Sequence, residues 1–196
     1  ELERQNARGI LAAIDTSYAY IEFDLGGHVL TANRNFQQVL GYQLDEIKGK
    51  HHRMFVDTAQ AMGPAYAQFW RDLNDGKPQN DVFKRVTKAG QEIWIQAVYA
   101  PVKDEMGRVF KVVKIATDVT ASVNAANMLK QAVEQAQTVT TAASRGDLAQ
   151  RIPLDGKDGP IRTLCDGVNQ LMETTSVIFN DVGRVFGALS AGDLTQ

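Results

Sequence analysis

The chain has 196 residues, enough for one to two domains, with 44% apolar and 22% charged residues, the composition of an ordinary soluble protein. Its 21 basic and 23 acidic residues leave a formal net charge of −2, which gives no basic surface to attract nucleic acid or anionic lipid. The single cysteine, Cys165, excludes an intrachain disulfide and fits a reducing compartment. No apolar run approaches the roughly 20 residues that span a bilayer, and no signal peptide is recognisable.

Residues 1–16 read as a helix with Ile10, Leu11 and Ile14 on one stripe. From Tyr18 to Leu25 the residues become aromatic and β-branched, Gly26-Gly27 turns the chain, and His28 to Ala32 returns, which is the pattern of a β-hairpin. Asn33 is placed to cap a short helix, Arg34 to Leu40, that Gly41 ends. Leu44 to Gly49 reads as a further helical turn, residues 50–63 are ambiguous, and Pro64 opens a helix to Leu73. Three strands follow, Val82 to Thr87, Glu92 to Val102 and Arg108 to Thr117, with turns at Lys88-Ala89-Gly90-Gln91 and Asp104-Glu105-Met106-Gly107. In the middle strand Ile93, Ile95, Ala97 and Tyr99 share one face, and Trp94, Gln96 and Val98 the other. A block of helices between runs of hairpin strands predicts an α+β layer, an antiparallel sheet with helices on one face. The space under such helices is a common ligand site. Lys84, Arg85, Lys88, Lys111 and Lys114 put charge on strands and are expected on the solvated face of the sheet or on a rim contacting a partner subunit.

Asp118-Val119-Thr120 closes this domain, and the chain is then helical to about Ser144. A connector with Pro153, Gly156 and Gly159 leads to a second long helix from Pro160 to Ser190. In that helix Ile161, Leu164, Val168, Leu171, Thr175, Ile178, Val182, Val185 and Leu189 repeat at heptad spacing. The same register in the first helix falls on Leu129, Ala132, Ala136, Val139 and Ala143. Two helices per chain with so narrow an apolar seam predict a parallel homodimeric bundle of four helices. Cys165, beside the seam, is expected to pack. The heptapeptide Ser144-Arg145-Gly146-Asp147-Leu148-Ala149-Gln150 returns as Ser190-Ala191-Gly192-Asp193-Leu194-Thr195-Gln196, the mark of a repeated supersecondary unit. The chain stops with the second copy and is read as a fragment of something longer.

The ordered series Asp24, Gly27, Asn33, Phe36, Leu40-Gly41-Tyr42, Glu46, Gly49, Gly76, Lys84-Arg85, Trp94-Ile95, Pro101-Val102, Gly107 and Asp118-Val119-Thr120 resembles a PAS domain over residues 17–120. Its nearest flavour is the PAS module of bacterial chemoreceptors of the aerotaxis type. Gly146-Asp147-Leu148, Arg151, Leu164, Asn169 and Met172 resemble a HAMP domain over residues 121–190, with residues 191–196 opening a second repeat. One departure is that Asp158-Gly159-Pro160-Ile161 stands where a HAMP domain usually opens its second helix with an Asp-Glu pair. The resemblance implies a PAS five-stranded antiparallel sheet followed by an all-α, dimeric HAMP parallel four-helix bundle.

Functionally it implies a sensory segment of a methyl-accepting chemotaxis protein, cytoplasmic in this part and membrane-attached or not in the intact protein. Its partners would be a second copy, a downstream chemoreceptor signalling domain and, through that, the chemotaxis kinase and adaptor. Asp118 and Thr120, where the last strand becomes the output helix, are the expected relay. The candidate cofactor is FAD, beside Trp70 and Asn33, or haem on His52. Phe55-Val56-Asp57-Thr58-Ala59 lacks the Arg-His-Pro run of the aerotaxis type, however, and the helix from Pro64 carries no histidine. The other reading is a ligand-free PAS–HAMP dimerisation and spacer segment. No nucleophile–base pair, phosphate-cradling glycine loop, paired acid or zinc-spaced Cys/His cluster is visible, so neither enzymatic activity nor a metal is expected. No histidine follows His52, so the helical part holds no phospho-accepting histidine.

Overall fold

The computed structural model describes residues 2–192, and the chain divides after Ala121 into two units.

In the first unit, α1 (Leu2–Ser17) has no buried residue. The strands β1 (Ala19–Phe23), β2 (Val29–Ala32), β3 (Gln79–Val86), β4 (Glu92–Lys103) and β5 (Val109–Asp118) form one sheet in the order β2-β1-β5-β4-β3. Every neighbouring pair is antiparallel. The β1–β2 hairpin and the β3–β4–β5 meander are separate in sequence but meet where β1 pairs with β5, Ala19 opposite Ala116 and Phe23 opposite Val112. The crossover from β2 to the far edge lays α2 (Arg34–Leu40), α3 (Leu44–Ile47), a 3₁₀ turn at His52–Phe55, α4 (Thr58–Ala61) and α5 (Pro64–Asn74) along the sheet. Strand alternation aims Ile21, Phe23, Ile95, Ala97, Tyr99, Val112 and Ala116 at Phe36, Leu40, Ile47, Phe55, Trp70 and Leu73 from these helical segments, and all are buried in one core.

Local chemistry sets the helix ends. Asn33 Oδ1 accepts from Phe36 N at 2.9 Å and from Tyr20 N at 2.9 Å, so one side chain caps α2 and ties it to β1. Gly41 then ends α2 in the left-handed region, at φ 77°. The ambiguous stretch 50–63 resolves into the 3₁₀ turn and α4, whose cap is Asp57. β3 begins at Gln79, earlier than the expected Val82. Gln79, Asn80 and Asp81 pair with Tyr99, Val98 and Ala97 through the backbone, and on an edge strand such polar residues carry no apolar alternation to announce them.

The strand charges require a correction. Arg85 and Lys114 are not on the solvated face; they are 3% and 1% exposed. The reason is the two-residue period of a strand. Lys84 and Arg85 are adjacent, and Lys111 and Lys114 are an odd number apart, so one of each pair must point inward. Lys84 and Lys111 take the outer face, on Glu92 at 2.7 Å and Glu22 at 2.9 Å.

In the second unit, α6 (Thr120–Ser144) and α7 (Gly159–Ser190) point the same way. The connector fixes this, because it runs back along α7: Arg151 reaches Glu173, Ile152 lies at Asn169, and Leu154 O accepts from Arg162. Ala132 and Val139 of α6 are buried with Ile152, Cys165 and Met172. The residues one position before the last two, Leu164 and Leu171, are 57% and 62% exposed in the single chain, and Ile178, Val182, Val185 and Leu189 continue that exposed row. Of the expected seam, Ile161 and Val168 are half-buried against the α6 cluster. The repeat has a structural echo: Gly146 and Gly192 follow their helices at φ 89° and 78°. Residues 193–196 of the second copy lie outside the described residues. Asn169 Oδ1 accepts from Ile152 N at 2.8 Å and its Nδ2 donates to Ile152 O at 2.9 Å, the pairing one strand would offer another. Asn169→Ala strands both Ile152 groups, so the second unit should lose about 2 kcal/mol, and the Ile152 amide should exchange faster by hydrogen–deuterium exchange.

Candidate functional site

The 3₁₀ turn places His52 at the centre of the first unit's core, where it is fully buried. Its Nε2 lies 3.0 Å from the Tyr99 hydroxyl on β4, and its Nδ1 lies 2.8 Å from the Tyr66 hydroxyl on α5. Arg85 on β3 donates from Nη2 to the same Tyr99 oxygen at 2.9 Å. Tyr99 is fully buried and already accepts from Arg85, so its own proton is placed by donating to Nε2, which leaves Nδ1–H to donate to the half-buried Tyr66 hydroxyl. A chain of polar contacts thus crosses the core from β3 to α5. Rings enclose it: Phe23 lies edge-on to His52 at 5.3 Å, Trp70 at 5.5 Å, and Phe69 edge-on to Tyr99 at 4.9 Å.

The same core holds two cations without a carboxylate among the described residues around them. Lys114 Nζ sits 4.9 Å from the ring centroid of Tyr99 and 5.6 Å from that of Phe36. Arg85 lies 4.9 Å over Phe83, donates from Nη1 to Lys84 O, and leaves Nε without a partner. Desolvation of an unpaired ion costs several kcal/mol, and a buried cation–π contact returns only about 2 kcal/mol. Burial, reinforced by Arg85, therefore holds the Lys114 ammonium well below its ordinary pKa. Burial, then Arg85, Lys114 and His51, hold His52 well below its own. Beside this cluster a cavity of about 190 Å³ opens between α5 and β3, walled by Val56, Tyr66, Phe69, Phe83 and Arg85.

The expected cofactor residues are placed differently. Asn33 uses its oxygen in the α2 cap and its nitrogen on Tyr18 O at 2.8 Å. Trp70 packs α5 against Phe23 and against Gly27, whose φ of 82° and whose missing Cβ leave room for the indole. Neither lines the cavity. His52 has both ring nitrogens engaged by phenols. Haem on His52 and FAD beside Trp70 and Asn33 do not fit this arrangement, because rings already fill the space between helices and sheet. What remains is smaller than the roughly 300–1,000 Å³ of clefts that bury a drug-sized ligand.

The structure does bring Asp118 and Thr120 together, at the other end of β4. Val119 N donates to Trp94 O at 2.8 Å, Trp94 N donates to Thr120 Oγ1 at 2.9 Å, and Asp118 Oδ1 accepts from Thr120 N at 2.9 Å. The Thr120 hydroxyl donates to Asp118 Oδ1 at 2.6 Å. Thr120 is the first residue of α6, so the start of that helix is clasped to the backbone of one sheet residue. Sequence reasoning missed Arg85, Lys114, Tyr66 and Tyr99. The inward cations could have been found from their parity along the strands; alternation put Tyr99 on the face of Ile93, Ile95 and Ala97, but nothing in the pattern marked either phenol as a partner of His52.

Residues 29–116 match the family described as PAS fold, and this segment is a PAS domain. It is similar to bacterial proteins named for biofilm dispersion and for aerotaxis. The biofilm dispersion protein BdlA of Pseudomonas aeruginosa is 45% identical over 114 residues, 58% of this chain and 27% of that protein. The aerotaxis receptor of Escherichia coli is 33% identical over 97 residues, 50% of this chain and 19% of the receptor. The chain therefore matches only about a quarter and a fifth of these relatives' lengths. Among solved structures, a PAS domain from Colwellia psychrerythraea overlays with a TM-score of 0.51 at 20% identity, covering 62% of this chain and 99% of that one, which supports the fold alone.

The depressed His52 pKa sets a pH dependence. The unfolded imidazole titrates near 6.5 and the folded one well below it, so the unfolded state takes up protons first and stability falls as pH drops through 6.5. Half-buried His51 shifts in the same direction. The wild-type unfolding free energy should decline between about pH 7 and 5, by at most about 1.4 kcal/mol per pH unit for each proton, and His52→Gln should flatten that slope in denaturant titrations.

Proposed function

We propose that this chain is a sensing and relay segment of a chemoreceptor. The PAS domain detects a small ligand or a redox state, and α6 and α7 act as a HAMP unit that pairs with a second copy and carries the signal toward a downstream signalling domain with its kinase and adaptor. It works without catalysis of its own, in the cytoplasm. The observation that carries this reading is the clasp at Trp94, because it joins the sheet that walls the core to the first turn of the output helix. Three others support it. The PAS segment is similar to a named aerotaxis receptor. The two parallel helices leave an exposed apolar row from Leu164 to Leu189, which a partner would cover. No helix among the described residues is long and apolar enough to cross a membrane.

The relay needs only a bistable bundle whose two packings differ by a few kcal/mol. The alternative, a ligand-free dimerisation and spacer segment, keeps the bundle but not the switching. Disulfide cross-linking separates them. In a Cys165→Ser background, Leu171→Cys should cross-link rapidly between copies and Gln170→Cys slowly. A stimulus that changes the Leu171→Cys rate should lose its effect when Thr120→Val removes the hydroxyl from Trp94 N. Equal rates at 170 and 171, or a monomer in sedimentation, would contradict the bundle. A rate indifferent to every stimulus would leave the spacer.

A further inference from the structure

The buried cations Arg85 and Lys114 have no counter-charge among the described residues, and that deficit sits beside a cavity with aromatic walls. Arg85 lines the cavity, is 3% exposed and has an Nε without an acceptor. Lys114 is 1% exposed, and its ammonium meets the faces of Tyr99 and Phe36. The remaining basic group is His52, hydrogen-bonded to the same Tyr99 hydroxyl that Arg85 holds. The outer-face carboxylates Glu22 and Glu92 are taken by Lys111 and Lys84. A guanidinium has five donors in a fork that suits a carboxylate, and two of the five sites in use here face neutral oxygens. The walls decide the rest of the ligand. Tyr66, Phe69 and Phe83 offer flat rings, Val56 and Ala65 add aliphatic surface, and Gln60 joins Arg85 as a polar wall residue; a volume of about 190 Å³ admits a small molecule.

We infer that the PAS cavity is a receptor for a small monocarboxylic acid with a flat apolar body, an aromatic carboxylate of the benzoate class, whose charge is met by Arg85 and balanced with Lys114. This rests on the sensory reading above and specifies its ligand. The carboxylate supplies the anion the core lacks, and the ring stacks in the space beside Phe69 and Phe83. Binding would draw on the Arg85–Tyr99 contact and so load β4, the strand that also holds the clasp.

The test is calorimetric titration of the full chain with benzoate and with benzamide, which has the same shape without the charge. Benzoate should bind saturably and raise the melting midpoint, and benzamide should bind at least 10-fold more weakly. Arg85→Gln should weaken benzoate at least 10-fold and leave benzamide unchanged. Lys114→Met keeps the volume and removes a buried amine with no counter-charge among the described residues, so without benzoate it should melt higher than the wild type, and it should also gain less from added benzoate. It serves as the second variant if Arg85→Gln does not fold. Equal binding of the two probes, no benzoate binding, or benzoate affinity indifferent to both substitutions overturns the inference. The sensory reading fails separately. Benzoate that binds but leaves the cross-linking rate at position 171 unchanged keeps the anion site and removes the relay. A rate that responds to another stimulus, with no benzoate binding, does the reverse.

Discussion

The strand β4 is the constraint on which the rest of the first unit depends. Its inward residues Ile93, Ile95, Ala97 and Tyr99 wall the core, and the Tyr99 hydroxyl accepts from Arg85 and donates to His52. Five positions earlier on the same strand, Trp94 offers both backbone groups to the chain that becomes α6. β4 pairs with β3 on one side and β5 on the other along most of its length, so it is held in register and moves only with its neighbours. Whatever displaces Tyr99 acts on a strand that cannot yield locally.

The core beside that strand is ordered by polar contacts as much as by apolar packing. A single histidine joins two phenols, one phenol joins the histidine to an arginine, and a lysine faces the same phenol ring. Fully satisfied networks of this kind select one packing over its competitors, and partly satisfied ones carry an energetic deficit. Here the deficit is a charge imbalance. Carboxylates are plentiful on the outer face and at the turns, and the described residues bring none to the cations inside. A domain that tolerates such an interior is less stable than it could be, which is common where a protein keeps a site ready for a ligand.

Much of the fold could be read from the residues. The two hairpins, the helix after Pro64 and the long helices on either side of the connector follow from alternation, glycine turns and heptad spacing. Asn33 was legible as a cap. The segment 50–63 was not, because a one-turn 3₁₀ element and a one-turn helix are too short to show a period. The site was legible mainly at its outer end. Asp118 and Thr120 stand where a strand meets a helix, and that junction is visible in sequence. The inner end was hidden by an assumption about charge. Arg85 and Lys114 are basic, and a basic strand residue is expected outside, yet adjacent Lys84 and Arg85 cannot share a face. In the second unit the heptad register located the apolar residues but not their partners. Cys165 and Met172 turn to α6, and Leu164 and Leu171 beside them stay exposed in the single chain; a helix with apolar residues at neighbouring positions has two apolar faces.

Coupling between the two ends of β4 is the decisive quantity. Trp94 and Tyr99 are roughly 17 Å apart along the strand at about 3.3 Å per residue, beyond the roughly 7–10 Å within which substitutions ordinarily interact. A double-mutant cycle with Tyr99→Phe and Thr120→Val, read as the opening free energy of the Val119 amide by native-state hydrogen exchange, measures it directly. A sheet that transmits load from core to helix gives a coupling energy above about 0.5 kcal/mol; effects that simply add would contradict the relay.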